Sequence, residues 1–366
     1  MGRSKAKQSH KTKRASKKNE SKENQHAESS VQELLSMVEG AMNELQFDQA
    51  RQFGERALRL EPDNLKTLDV LSGLLLEMGD ATGASQLLQR MIELEPNDGF
   101  RKYLSLGQLC DGKESLRHYA KGVEILQRLL GERQGASAGA DSEDGGNLNR
   151  ELSSAYCAMA EIYMTDCCFE EDAETQCAEL IEKGVAADPN NPEALQCQAS
   201  YLLVKQDTEG AQQAMRRSLD LWLPQHERLC QGNQDEEGVQ DPVCPLSYSC
   251  RVSGAKLLIE LEMMDEANAV LDGLVEEDDE VVDVWYLLGW LNYLRAGEYM
   301  DNARFYLTKA QQVARKVHFE DPEELAHIEE LLAEIGPASE DEGEGDVEGE
   351  EDSFASNSEE EEAMEV

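Results

Sequence analysis

The phrase Leu60-Glu61-Pro62-Asp63-Asn64 returns thirty-four residues later as Leu94-Glu95-Pro96-Asn97-Asp98, and Ala50 returns at the same interval as Ala84. Proline removes a helical hydrogen-bond donor and biases the residue before it out of the helical region, so each phrase closes a helix. A small residue midway lets two amphipathic helices approach closely. One such hairpin leaves an apolar face uncovered, so copies must stack to make a core. The spacing predicts an array of helical hairpins, not a set of separate globular domains.

A period of thirty-four with a mid-unit alanine and a closing proline is that of the tetratricopeptide repeat. The first unit, 31–64, is expected to bury Leu34, Met37, Val38, Ala41, Ala50 and Ala57. The second, 65–98, repeats this with Leu68, Leu71, Leu75, Ala84, Leu88 and Met91. A third begins near Phe100 but lacks its proline, and 131–147, rich in Gly, Ala, Ser and acids, reads as a flexible insertion. The fourth resumes at Leu152 with Tyr156, Met159, Ala160 and Tyr163, and closes at Asp188-Pro189. It is four or five residues too long, so its turn at Asp166–Asp172 should bulge. The fifth covers 192–224, a second insertion 231–245, and the sixth 248–281. The seventh opens on Trp285-Tyr286-Leu287-Leu288-Gly289 and continues through Ala303, Phe305, Tyr306 and Ala310. An amphipathic segment, Glu323–Ile335, would cover the last apolar face. The expected fold is all-α: a superhelical solenoid of about seven hairpins with a C-terminal cap helix over 31–336, between disordered tails at 1–30 and 337–366.

Charge sets the sign of the partner. The chain carries 76 acidic and 34 basic side chains, a net charge of -42. Residues 1–30 hold nine basic and three acidic groups, and 337–366 hold fourteen acidic and no basic ones, which leaves -34 for 31–336. The acid is therefore spread through the array. Such a surface repels nucleic acid and anionic membranes and steers basic partners inward. The run Lys11 to Lys18 reads equally as a nuclear-localisation signal, which an import factor would bind, or as a solubilising tail. Ser353, Ser356 and Ser358 beside acids suit an acid-directed kinase.

Catalytic patterns are missing. There is no His-Glu-x-x-His, no Gly-x-Ser-x-Gly and no phosphate-cradling glycine loop, so neither enzyme nor metal nor cofactor is expected. His118 and His327 are expected on helices without a cysteine or acid constellation. The nine cysteines lack Cys-x-x-Cys spacing and a secretory segment, and read as structural thiols in a reducing compartment.

In this repeat class the first helices line the concave face. Phasing on the core places Leu35, Glu39 and Met42, then Asp69, Leu76 and Glu77, then Leu104, Gln108 and Asp111 on that side. Glu161 and Met164, Glu193 and Leu203, Val252, Ile259 and Glu260 follow, and the seventh unit adds Asp283, Tyr286, Trp290 and Tyr293. Carboxylates alternating with apolar groups suit an extended Lys- and Arg-rich segment. Trp290 with Tyr286 and Tyr293 is the expected hot spot, the alternative being that these rings pack on the cap helix. Leu35 and Glu39 stand where a groove for the acidic C-termini of heat-shock chaperones would need Lys and Asn, which argues against that role.

The basic start, about seven acidic repeats, the Val284-Trp285-Tyr286-Leu287-Leu288-Gly289-Trp290 phrase and the acidic finish resemble the dedicated assembly chaperones of large-subunit ribosomal protein four. That resemblance implies a protein of cytoplasm and nucleus that covers the basic internal loop of its client with its concave face and escorts it to pre-ribosome assembly. Escort of histones or other basic nuclear proteins, or a scaffold role in a complex, are the alternatives.

Overall fold

The computed structural model describes residues 30–135, 143–224, 226 and 244–336, and among them the regular elements are all helical. The chain divides into two compact units, Met1–Glu277 and Asp278–Val366. The first holds α1 (30–43), α2 (Phe47–Leu60), α3 (Leu65–Glu77), α4 (Ala81–Leu94), α5 (Arg101–Leu109) and α6 (Gly112–Gly135). It continues with α7 (Glu143–Met164), α8 (Ala173–Ala187), α9 (Pro192–Val204), α10 (Thr208–Asp220), α11 (Tyr248–Glu260) and α12 (Met264–Glu277). The second holds α13 (Val282–Arg295), a 3-10 turn (Gly297–Tyr299), α14 (Met300–Val317) and α15 (Pro322–Ile335). Successive pairs from α1/α2 to α13/α14 make the seven expected hairpins, and α15 packs on the last of them. The second unit is thus the seventh hairpin with α15.

The helix starts follow from local chemistry. Asn64 Oδ1 accepts the Thr67 N–H at 3.0 Å, capping α3 just after the Pro62 phrase. Asn191 and Asp321 cap α9 and α15, each followed by a proline whose missing N–H costs nothing in a first turn. The second helices of two hairpins begin alike: Asp80 accepts from Gly83 N–H at 2.9 Å and Asp207 from Gly210 N–H at 3.0 Å. Hairpin turns pass through residues of positive φ, among them Leu45, Gly79, Gln206 and Glu262, with φ of 56°, 75°, 63° and 58°. Of these, Gly79 alone adopts that conformation without steric cost.

The core runs along the seams between helices. Ala50, Ala84, Ala211, Ala267 and Ala303 of the second helices are wholly buried, as the mid-unit spacing requires, and so are Ala160, Ala199 and Ala255 of the first helices. In the second unit α13 meets α14 at Gly289, where an added Cβ would come within 2.6 Å of Leu307 Cγ. Leu68, Leu71, Leu75, Leu258, Leu271 and Leu274 are buried as expected, and the long turn of the fourth unit lies between α7 and α8.

Several expectations are corrected. Met37 is 52% and Phe305 61% exposed. Each lies off its helix's apolar stripe, which is set by Leu34, Val38 and Ala41 in α1 and by Ala303, Leu307 and Ala310 in α14. The insertion expected at 131–147 is mostly helix, because α6 runs to Gly135 and α7 starts at Glu143. Its remainder, 136–142, lies outside the described residues, as do both tails with the basic run and the three serines, and most of 231–245.

Candidate binding face

The first helices α7, α9 and α11 are neighbours, α7 against α9 and α9 against α11. Among the residues facing the cleft between them, of about 240 Å³, are Glu161, Glu193, Gln196, Ser200, Cys250 and Ser253. A second cleft of about 350 Å³ lies between α5 and α7 and brings Leu104, Gln108, Tyr119 and Glu151 to the same Glu193. Glu193 is the shared wall. Arg101 reaches Glu151 at 3.5 Å, whereas neither Glu161 nor Glu193 has an ion pair among the described residues.

The position of Glu193 is set by its neighbours. The Ser154 hydroxyl of α7 donates to its carboxylate. Asn191 Nδ2 donates to Ser153 Oγ at 3.0 Å, and Ser153 Oγ donates to the Gly184 carbonyl at 2.8 Å. Arg150 pairs with Asp188 and donates to the Asn190 carbonyl. The turn from α8 into α9 is thereby fastened to α7.

These carboxylates shape the titration of the cleft. Desolvation first, and then the charge of Glu193, raises the Glu161 carboxyl above the usual glutamate range. By surface area Glu161 is exposed, while the protein density around it is that of an enclosed group. Both hold because the carboxylate stands in a concave wall open on one side, where solvent reaches it. Burial, then Glu161 and Glu193, pushes the Tyr119 hydroxyl up to about 12. Burial and the same two acids raise the Cys250 thiol against the opposing bond from Ser247.

Tetratricopeptide repeat is the family whose model matches, over residues 41–106. A Schizosaccharomyces pombe protein named "Probable assembly chaperone of rpl4" is 32% identical over 286 residues, 73% of this chain and 79% of that one. The chain belongs to that family. An Emericella nidulans member of the same name is 30% identical over 267 residues, 69% of this chain and 61% of that one. A solved structure of "Assembly Chaperone of RpL4 (Acl4) (Residues 1-338)" matches with a TM-score of 0.58 at 29% identity, over 72% of this chain and 96% of that one. Assembly chaperones are a binding class, not a catalytic one.

Within this family member the sequence-predicted site residues separate into groups. Glu161 and Glu193 share one cleft, and Leu104 and Gln108 meet Glu193 in the next. Glu39, Asp69, Glu77 and Glu260 are exposed on α1, α3 and α11, and Asp111 is exposed in the turn after α5. The described clefts do not gather these five. Leu35 and Ile259 are corrected: at 4% and 2% exposure they are core. Val31, Leu34, Leu35 and Val38 make one stripe at helical spacing, and Leu35 falls inside it.

In the second unit Asp283, Tyr286, Trp290 and Tyr293 are half-buried. The Tyr286 hydroxyl lies 2.7 Å from His327 Nδ1, and Tyr293 donates to Glu334, so both hydroxyls are engaged by α15. Tyr286 also stacks on Trp290, with ring centroids 6.3 Å apart and planes 5° from parallel. The packing alternative therefore accounts for both tyrosine hydroxyls.

Sequence reasoning missed Gln196, Ser154 and Ser200, whose polarity on an inward helix face was the available signal. It also placed His118 apart from any constellation, whereas donor atoms of Cys110, Glu114 and His118 lie within 4.8 Å of one another. Glu114 and His118 stand one turn apart within α6, but the step from Cys110 crosses the α5–α6 turn, so helical phasing alone does not bring the thiol to them. Burial, Glu114 and Asp111 raise the Cys110 thiol, favouring the protonated form that does not ligate metal.

Proposed function

We propose that this chain is a dedicated chaperone of a basic large-subunit ribosomal protein, held by the carboxylate-lined face of the first helices. The observation that carries the reading is Glu161 and Glu193, two carboxylates sharing one cleft with no cation of the protein's own. Elsewhere the protein supplies partners: Arg90 joins Asp63 and Glu93, and Arg150 joins Asp188. A bare acidic cleft in a chain of charge -42 attracts a positively charged segment and keeps it from nucleic acid. The names of the two relatives supply the client, the ribosomal protein rpl4. Escort from cytoplasm to nucleus, with an import factor reading Lys11–Lys18, completes the proposal.

The test is to purify the full chain with its bound protein and titrate that protein back at rising salt. A ribosomal protein should be recovered, and its affinity should fall steeply from low to moderate ionic strength. Recovery of histones would replace the client, and affinity flat with salt would refute electrostatic capture.

A further inference from the structure

Gln196 separates the α7–α9–α11 cleft from an ordinary acidic surface. It projects from α9 one turn after Glu193, is only 9% exposed, and lines the cleft. Its carboxamide makes no hydrogen bond among the described residues. The side chain is nine-tenths buried while its amide stays open to the cleft it lines, so both its acceptor and its donor are free for a ligand that enters there. Space for it is kept by Gly254 of α11, where a Cβ would stand 2.9 Å from Gln196 Nε2 and 3.3 Å from its Cδ.

We propose that this cleft is an arginine subsite: it takes one guanidinium of the bound chain between Glu161 of α7 and Glu193 of α9, with the Gln196 carbonyl accepting a further N–H. The inference rests on the basic-client reading above and deepens it by naming the side chain. A guanidinium offers five N–H donors in a planar fork, and the cleft offers acceptors on more than one wall: two carboxylates, the amide oxygen and the hydroxyls of Ser200 and Ser253. A lysine ammonium presents three donors from one point and is more strongly hydrated, so it satisfies fewer of these groups on entering a half-closed space. The volume, about 240 Å³, admits a long side chain and no folded element.

The experiment uses the full chain with two extended peptides of equal length, an arginine–glycine repeat and its lysine–glycine counterpart, at fixed salt. The arginine peptide should bind about tenfold more tightly, the value of one additional charge-assisted hydrogen bond. Gln196→Leu should erase that preference and leave the lysine peptide unchanged. Gly254→Ala should do the same by displacing the amide; alanine favours helix, so this variant remains informative if Gln196→Leu does not fold. Equal binding of the two peptides, or a preference that survives both substitutions, overturns the subsite. If Glu161→Gln with Glu193→Gln weakens the client while the preference ignores Gln196, the acidic face stands and the subsite alone is wrong. If client binding is indifferent to that pair as well, both readings fail.

Discussion

Glu161→Gln combined with Glu193→Gln keeps the shape of the cleft wall, including an acceptor for the Ser154 hydroxyl, and removes two negative charges. Binding and stability should then move in opposite directions. A cation on a solvent-open carboxylate is worth about 1 kcal/mol, between an exposed pair and a buried charged hydrogen bond. Two such contacts make about 2 kcal/mol, roughly a thirtyfold loss of client affinity in a fluorescence titration. Stability should rise, by about 0.5 kcal/mol, because two like charges no longer face each other at an accessible wall. The sign of the pH dependence follows from Glu161. Its folded carboxyl titrates above the unfolded one, so its ionisation weighs against the fold as pH rises through the folded value. The advantage of the variant is therefore present at neutral pH and vanishes below the ordinary glutamate value of about 4.3. Client affinity of the unsubstituted protein should weaken on acidification, starting above that value. An unchanged affinity, or a variant less stable than the parent at neutral pH in urea, would refute the reasoning.

Leu45→Gly should stabilise the chain by about 0.5–1 kcal/mol, since Leu45 is left-handed and 74% exposed and surrenders no packing; a lower urea midpoint would contradict it. Gly289→Ala should cost about 1–3 kcal/mol, because the new Cβ meets both the Leu307 side chain and its backbone nitrogen, at 2.6 and 3.2 Å. Thermal unfolding followed by tryptophan fluorescence checks this. Trp290→Ala should weaken the client by about 1–3 kcal/mol if the indole is an anchor. Intact binding with a lowered unfolding temperature would assign it to packing beside Tyr286.

The seams of the fold were legible because they depend on spacing alone. Ala50 and Ala84 stand one period apart and both are wholly buried, and the Pro62, Pro192 and Pro322 phrases mark helix boundaries in the structure. What spacing could not supply was rotation about a helix axis. Leu35 is one residue from Leu34 and both belong to the core, because the α1 stripe is broader than a narrow seam. The same uncertainty put Phe305 inside and Ile259 outside. In the binding face the acids were readable by charge, but which of them meet was not: Glu161 and Glu193 lie on different helices and converge only through the packing of α7 on α9. Gln196 carries no charge and lies within an apolar helix, so charge patterning passed over it.

The fastening of the α8–α9 turn to α7 has a mechanical consequence. Glu193 follows Asn191 and Pro192 at the start of α9, beside the bonds from Asn191 to Ser153 and from Arg150 to Asp188. A cation seated on Glu193 pulls on that same hinge pin, so cargo and joint share their restraints. Loading the chaperone should stiffen the fourth and fifth repeats against each other, and amide exchange around Asp188–Asn191 should slow when cargo arrives and quicken when it is handed on.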